Sequence, residues 1–201
     1  MIADALLVAA WAALALDDLR QARRDRPARA AYGHVIARWP RSGATARAAL
    51  AAALVVGFVV VERQTGRWSG HPALTASGLA LAAAGLVVHG GARRALGPLW
   101  SGAITVRARH EIVQRGPYAV VRHPLYLGIL LLALGTLLAH PSPATACVAA
   151  GIALGIVLKI PREERALAAL PDSSYTAYAA RVPALVPRPD ALLALIRGKP
   201  R

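Results

Sequence analysis

Apolar residues along the chain gather into five runs separated by short basic stretches. The runs are IADALLVAAWAALAL at 2–16, AALAAALVVGFVVV at 48–61, ALTASGLALAAAGLVVHGG at 73–91, LYLGILLLALGTLLA at 125–139 and ATACVAAGIALGIVL at 144–158. Runs of this length predict membrane helices rather than the core of a soluble domain. Several fall short of the roughly 20 residues that cross a bilayer, so each is expected to extend into its flanks. Their alanine content favours close packing through small residues. The first run lacks a basic leader and carries Asp4 where a signal peptide has Lys or Arg, so it reads as a span. The fourth and fifth runs are joined only by HPSP at 140–143, which forces an antiparallel helical hairpin. Its prolines stop one helix and start the next.

Charge gives this pattern a direction. If five spans alternate, the stretches 17–47 and 92–123 and the tail from 159 onward share one side, and they hold 22 of the 24 Lys and Arg residues. Only Arg63 and Arg67 fall on the other side. By the positive-inside rule the N-terminus lies outside and the C-terminus in the cytoplasm. The composition agrees: 56% of the 201 residues are hydrophobic and 17% are charged. The net charge of +14 therefore needs no nucleic acid, and the aromatics do not interleave with the basic residues as a stacking platform requires. The single cysteine, Cys147, excludes an intrachain disulfide and a cysteine-based metal site. Ala- and Arg-rich, Lys-poor usage points to a GC-rich bacterium, so the expected location is a bacterial cytoplasmic membrane.

Two polar clusters fit neither span nor ordinary loop. The first, 96–128, has a Gly116-Pro117 turn and leads into the fourth run, with Pro124 suited to a first helical turn and His123 and Tyr126 on one face. The second, 159–183, opens at the cytoplasmic end of the fifth run and contains Glu163 and Glu164. The hairpin brings the two together. Singly, the arginines serve orientation and the tyrosines suit the interface; together they mark a site. His89 and His140 have no partner identifiable in the sequence and read as interfacial residues.

The motifs in these clusters resemble the isoprenylcysteine carboxyl methyltransferase family, which is related to phospholipid N-methyltransferases. They are His110, Ile112-Val113, Gly116-Pro117-Tyr118, Arg122-His123-Pro124-Leu125-Tyr126-Leu127-Gly128, Glu163-Glu164, Tyr175 with Tyr178, and Arg181-Val182-Pro183. The likeness covers about 96–187. It implies an all-α integral membrane protein of about five transmembrane helices. Residues 1–91 would supply the first three helices. Residues 92–201 would form a methyltransferase core of loop, hairpin and C-terminal helices around a cofactor cleft, in one continuous domain. The implied activity is methyl transfer from S-adenosylmethionine, leaving S-adenosylhomocysteine, to a lipophilic carboxylate, amine or thiol at the cytoplasmic interface. The implied cofactor-binding residues are His110, Glu111, Ile112, Val113, Gly116, Tyr118, Arg122, His123, Pro124, Leu125, Tyr126, Glu163 and Glu164. No metal is implied and the catalytic residue stays open: a carboxylate acceptor needs no base, whereas an amine or thiol would call on His123 or a Glu.

Two positions depart from the family. Eukaryotic members carry an Arg four residues before the first Glu, where this chain has Lys159, and some carry a Gln at the place of Ala103. A Lys keeps the charge of a substrate-facing Arg but not its bidentate fork, which weighs against a prenylcysteine carboxylate as acceptor. The expected partners are the bilayer and a lipophilic acceptor. A sterol-reductase-like NADPH enzyme is the alternative, since such proteins share an R-H-P-x-Y-like segment before a hairpin; they usually have more spans and lack the Glu pair.

Overall fold

The computed structural model describes residues 2–28, 35–38, 71–100, 105–107, 112–169 and 174–189. Four long helices dominate: α1 (Ile2–Asp25), α2 (Pro72–Leu96), α3 (Pro124–Ala139) and α4 (Pro143–Ala168), with a short α5 (Tyr175–Arg181). The first, third, fourth and fifth apolar runs correspond to α1, α2, α3 and α4. The second run, 48–61, lies outside the described residues, as do His110 and Glu111. One departure from an all-helical chain is a two-stranded antiparallel ribbon, Val35–Arg38 (β1) paired with Thr105–Arg107 (β2) and carrying an irregularity between Val35 and Ala37.

The helix ends follow their capping chemistry. Pro72 opens α2 behind His71, whose ring nitrogen accepts from the Ala73 amide. Pro143 opens α4 behind Ser142, which forms a reciprocal capping box with Thr145. The α3–α4 connection is thus as tight as HPSP predicts. Unlike the reading of 159–168 as a cluster beyond the fifth run, α4 continues through Pro161 to Ala168. Glu163 and Glu164 therefore stand on a rigid helix.

Among the described residues, two helical stretches are long and apolar enough to cross a membrane, Pro72–Leu99 and Pro143–Ala168, and α3 is a shorter apolar helix. Only 22% of each of the two apolar windows is buried. Large apolar side chains such as Val87, Leu134, Leu154 and Val157 point outward from three helices. Apolar surface on this scale is what a lipid-facing bundle presents.

The core sits where α1, α2 and α3 meet, around Leu7, Ala82, Leu132 and Ala139. The α2–α3 contact is backbone to backbone. A Cβ placed on Gly85 would lie 2.6 Å from the Gly128 carbonyl oxygen, and one on Gly135 would lie 2.6 Å from the Gly78 carbonyl oxygen. Gly78 and Gly85 are seven apart, as are Gly128 and Gly135, so the contact repeats every second turn.

Polar pairs fix α1 against this two-helix unit. At one end His140 Nδ1 lies 3.1 Å from Asp4 Oδ1, and mid-helix the Trp11 indole donates to Thr136 Oγ1 at 3.1 Å. At the other end His89 Nε2 lies 3.2 Å from Asp18 Oδ1, and fully buried Arg93 donates to Asp25 at 3.0 Å with its Nε 3.5 Å from Asp18. Trp100 covers the Arg93 guanidinium at 4.1 Å. His89 and His140, read as interfacial residues, are instead paired histidines. Burying a guanidinium without an ionic partner is costly, and two aspartates from α1 meet that requirement. The same pairs make α1 and α2 parallel.

Candidate functional site

The cluster forms where α3 begins and α4 ends. Gly116 takes a φ of 61°, a left-handed value suited to glycine, and opens the 3-10 turn Gly116–Ala119. The turn buries Tyr118 and exposes Gly116, while Ile112 and Val113 before it are half-buried. Pro124 then starts α3, with His123 as its cap residue.

Arg122 is the fastener. Its Nε and Nη2 lie 2.9 and 2.8 Å from Glu164 Oε1, and its Nη1 donates to the carbonyls of Ala179 at 2.8 Å and Val182 at 2.5 Å. His123 Nε2 reaches the same Glu164 oxygen at 3.0 Å. Backbone bonds run alongside, from the Arg122 amide to the Pro183 carbonyl (2.8 Å) and from the His123 amide to the Ala184 carbonyl (3.0 Å). The Tyr178 hydroxyl donates to the Tyr118 carbonyl at 2.7 Å. The start of α3, the end of α4, α5 and the segment after it are thus tied by groups whose hydrogen-bonding capacity is largely spent on one another.

Next to this knot lies a second trio. Tyr126 donates to Glu163 Oε2 at 2.6 Å, a short charge-assisted bond. Lys159 Nζ stands 4.9 Å from the centre of the Tyr126 ring, within cation–π range. The His123 ring stacks on Tyr126, centroids 5.6 Å apart with 15° between planes. Lys159 and Glu163 are one helical turn apart on α4, so they flank Tyr126 from one wall. Leu125 contributes through its backbone: its carbonyl lies 3.3 Å from His89 Nδ1, which links the first turn of α3 to the Asp18–His89 pair.

The buried tyrosines are neutral. Burial, reinforced by the Glu163 charge, raises the Tyr118 pKa. Burial and the nearby Glu164 carboxylate raise that of Tyr175, and burial raises that of Tyr178. None of the three reaches the phenolate at neutral pH.

The structure brings Tyr118, Arg122, His123, Pro124, Leu125, Tyr126, Lys159, Glu163 and Glu164 together, and separates the two glutamates by role. The sequence motifs include Tyr178 and Val182 without the bonds they make here, and they do not single out Ala179, His89 or Arg93. The signal for the last two was faint: Asp18 and Asp25 are seven apart just after the first run, and His89 and Arg93 are four apart across the end of the third.

Residues 79–169 match the isoprenylcysteine carboxyl methyltransferase (ICMT) family. Over 107 residues the chain is 38% identical to the cobalt-zinc-cadmium resistance protein CzcN of Cupriavidus metallidurans, covering 52% of this chain and 47% of that protein. Over 84 residues it is 36% identical to protein-S-isoprenylcysteine O-methyltransferase B of Arabidopsis thaliana, covering 39% of this chain and 40% of that protein. The chain thus spans less than half the length of these relatives. The family resemblance read from the motifs holds for 79–169, from within α2 to the end of α4, and Tyr175, Tyr178 and Arg181-Val182-Pro183 lie beyond that match.

Proposed function

We propose that the chain is a membrane-embedded methyltransferase that uses S-adenosylmethionine and a lipophilic acceptor, with the α3–α4 cluster at the cytoplasmic interface and the N-terminus outside. The observation that carries this reading is the Tyr126–Glu163–Lys159 trio, held against the Arg122–Glu164 knot within the family-matched segment. The proposal keeps five spans in a bacterial cytoplasmic membrane and the cofactor residues set out above, including His110 and Glu111 outside the described residues, but reassigns Arg122, His123 and Glu164 from cofactor contact to support of the site.

The donor set fits the cofactor. Glu163 is half-buried, and its carboxylate suits an ammonium or ribose hydroxyls. Tyr126 offers a ring face to a cation. Backbone groups of Ile112, Val113 and Leu125, with Tyr118 and Gly116, complete that wall. When bound, S-adenosylmethionine supplies a methyl group on a positively charged sulfur, which a nucleophile displaces in line. The chain's own task is alignment and exclusion of water. Glu163 belongs at the polar end of the cofactor and away from the sulfur. The positive charge there dissipates in the transition state, so a carboxylate beside it would favour the ground state. Arg122, His123 and Glu164 hold the site's shape. A carboxylate acceptor needs no base, and His123, buried with Nε2 on Glu164, is not positioned to be one. Lys159, on the α4 wall beside Tyr126, faces the acceptor and attracts a negative or electron-rich head.

Detergent-solubilised protein incubated with methyl-labelled S-adenosylmethionine and a bacterial lipid extract should move label into the organic phase. Lys159→Gln should lower that transfer about tenfold, chiefly through KM, as loss of a substrate contact does. Transfer of label only to water-soluble compounds would contradict the lipophilic acceptor.

A further inference from the structure

We propose that the cleft between the ends of α1 and α2 is a binding site for the phosphate headgroup of an anionic phospholipid. The cleft has a volume of about 660 Å³ and is lined by Arg20, Arg23, Arg24 and Arg94 together with Asp17 and Asp25. Asp25 is met by buried Arg93 at 3.0 Å, while Asp17, which accepts from the Gln21 amide at 2.6 Å, keeps its charge and offsets one of the four arginines. Four exposed guanidiniums therefore face one space with a net excess of positive charge, and none of them forms an ion pair among the described residues. The helix C-termini favour cations there, which accounts for arginines in each last turn. It does not account for four of them converging on one cleft, where like charges repel and an anion relieves the repulsion. Planar forks of five donors each match phosphate oxygens better than point charges would.

The neighbouring surface points to a lipid rather than a free anion. Leu16 and Leu19, 48% and 57% exposed, sit one turn before Arg20 and Arg23 on the same faces of α1. One molecule lying against α1 meets apolar surface and then guanidinium, the order in which a phospholipid presents acyl chain and headgroup. The inference rests on the membrane placement proposed above and not on methyl transfer. Its failure would leave the labelled-methyl result untouched.

The test is binding of phosphatidylglycerol to detergent-purified protein, followed by native mass spectrometry. Phosphatidylcholine with the same chains and inorganic phosphate serve as the other arms. Phosphatidylglycerol should bind at one site and weaken as salt rises. Each arginine removed should weaken it about fivefold, so Arg23→Gln with Arg24→Gln together should cost about 25-fold. These side chains are exposed, so the variants should melt as the wild type does. Arg20→Gln with Arg94→Gln, split between two helices, gives an independent pair if the first does not fold. Equal binding of phosphatidylcholine, full saturation by inorganic phosphate, or an undiminished phosphatidylglycerol affinity in both double variants would overturn the proposal.

Discussion

Gly135→Leu is expected to leave the α2–α3 pair unable to close. The atoms a new side chain would meet at Gly135 are backbone: the Gly78 carbonyl oxygen at 2.6 Å and the Ala82 Cα at 3.0 Å from a Cβ. Backbone inside a helix cannot step aside as a flexible side chain can, so the helices must separate. Separation removes the contact that also aligns His89 with Leu125 and the start of α3. Even Gly135→Ala should cost about 3 kcal/mol, the upper part of the range for overpacking. The contrast lies on α4, where Gly151 and Gly155 have nothing within 4 Å of a Cβ. Gly155→Ala should stabilise by about 0.5–1 kcal/mol, because alanine loses less backbone freedom in a helix. Thermal melts of both variants in one detergent check the pair, and equal destabilisation by the two would contradict the packing described.

The two adjacent glutamates should part in their effects. Glu164→Ala should lower the stability of the ligand-free protein by about 2 kcal/mol. A broken ion pair of this kind costs more when fully buried, but the Glu164 side chain is 26% exposed and solvent screens part of the loss. The consequence is local first: Arg122 and His123 lose their common acceptor, and α5 loses its anchor to the start of α3. Glu163→Ala should change the ligand-free melt by about 1 kcal/mol at most, since it removes one partly exposed bond to Tyr126. It should nonetheless abolish stabilisation by S-adenosylhomocysteine. Wild-type protein at a hundredfold excess over Kd should gain about 2.7 kcal/mol from that ligand. If Glu164→Ala instead kept full stability and lost only the ligand response, the knot and the trio would have been assigned the wrong way round.

The meeting of the two motif clusters was legible in the sequence, because the four residues HPSP between the fourth and fifth runs leave no other route. The assignment of the glutamates was not. Successive helical residues differ by about 100° in direction, so adjacent side chains on α4 face different surroundings. That distinction depends on α4 continuing through Pro161, and an interior proline ordinarily signals the opposite. The Asp18–His89 and Asp25–Arg93 pairs were hidden for another reason. Their members are 71 and 68 residues apart, and no motif links them. Only the parallel packing of α1 on α2 makes their spacing complementary. The β1–β2 ribbon pairs strands of four and three residues about 70 positions apart, too short for an alternating pattern to stand out. The basic stretches were read by count as an orientation signal; the convergence of Arg20, Arg23, Arg24 and Arg94 on a single cleft needed coordinates.

The most direct test of the central claim is ligand stabilisation of the purified wild-type chain, measured with S-adenosylmethionine, S-adenosylhomocysteine and NADPH in parallel melts. The account predicts an upward shift with both adenosyl ligands, saturable and absent in Glu163→Ala, and no shift with NADPH. A shift with NADPH alone, or none with either adenosyl ligand at millimolar concentration, would contradict it.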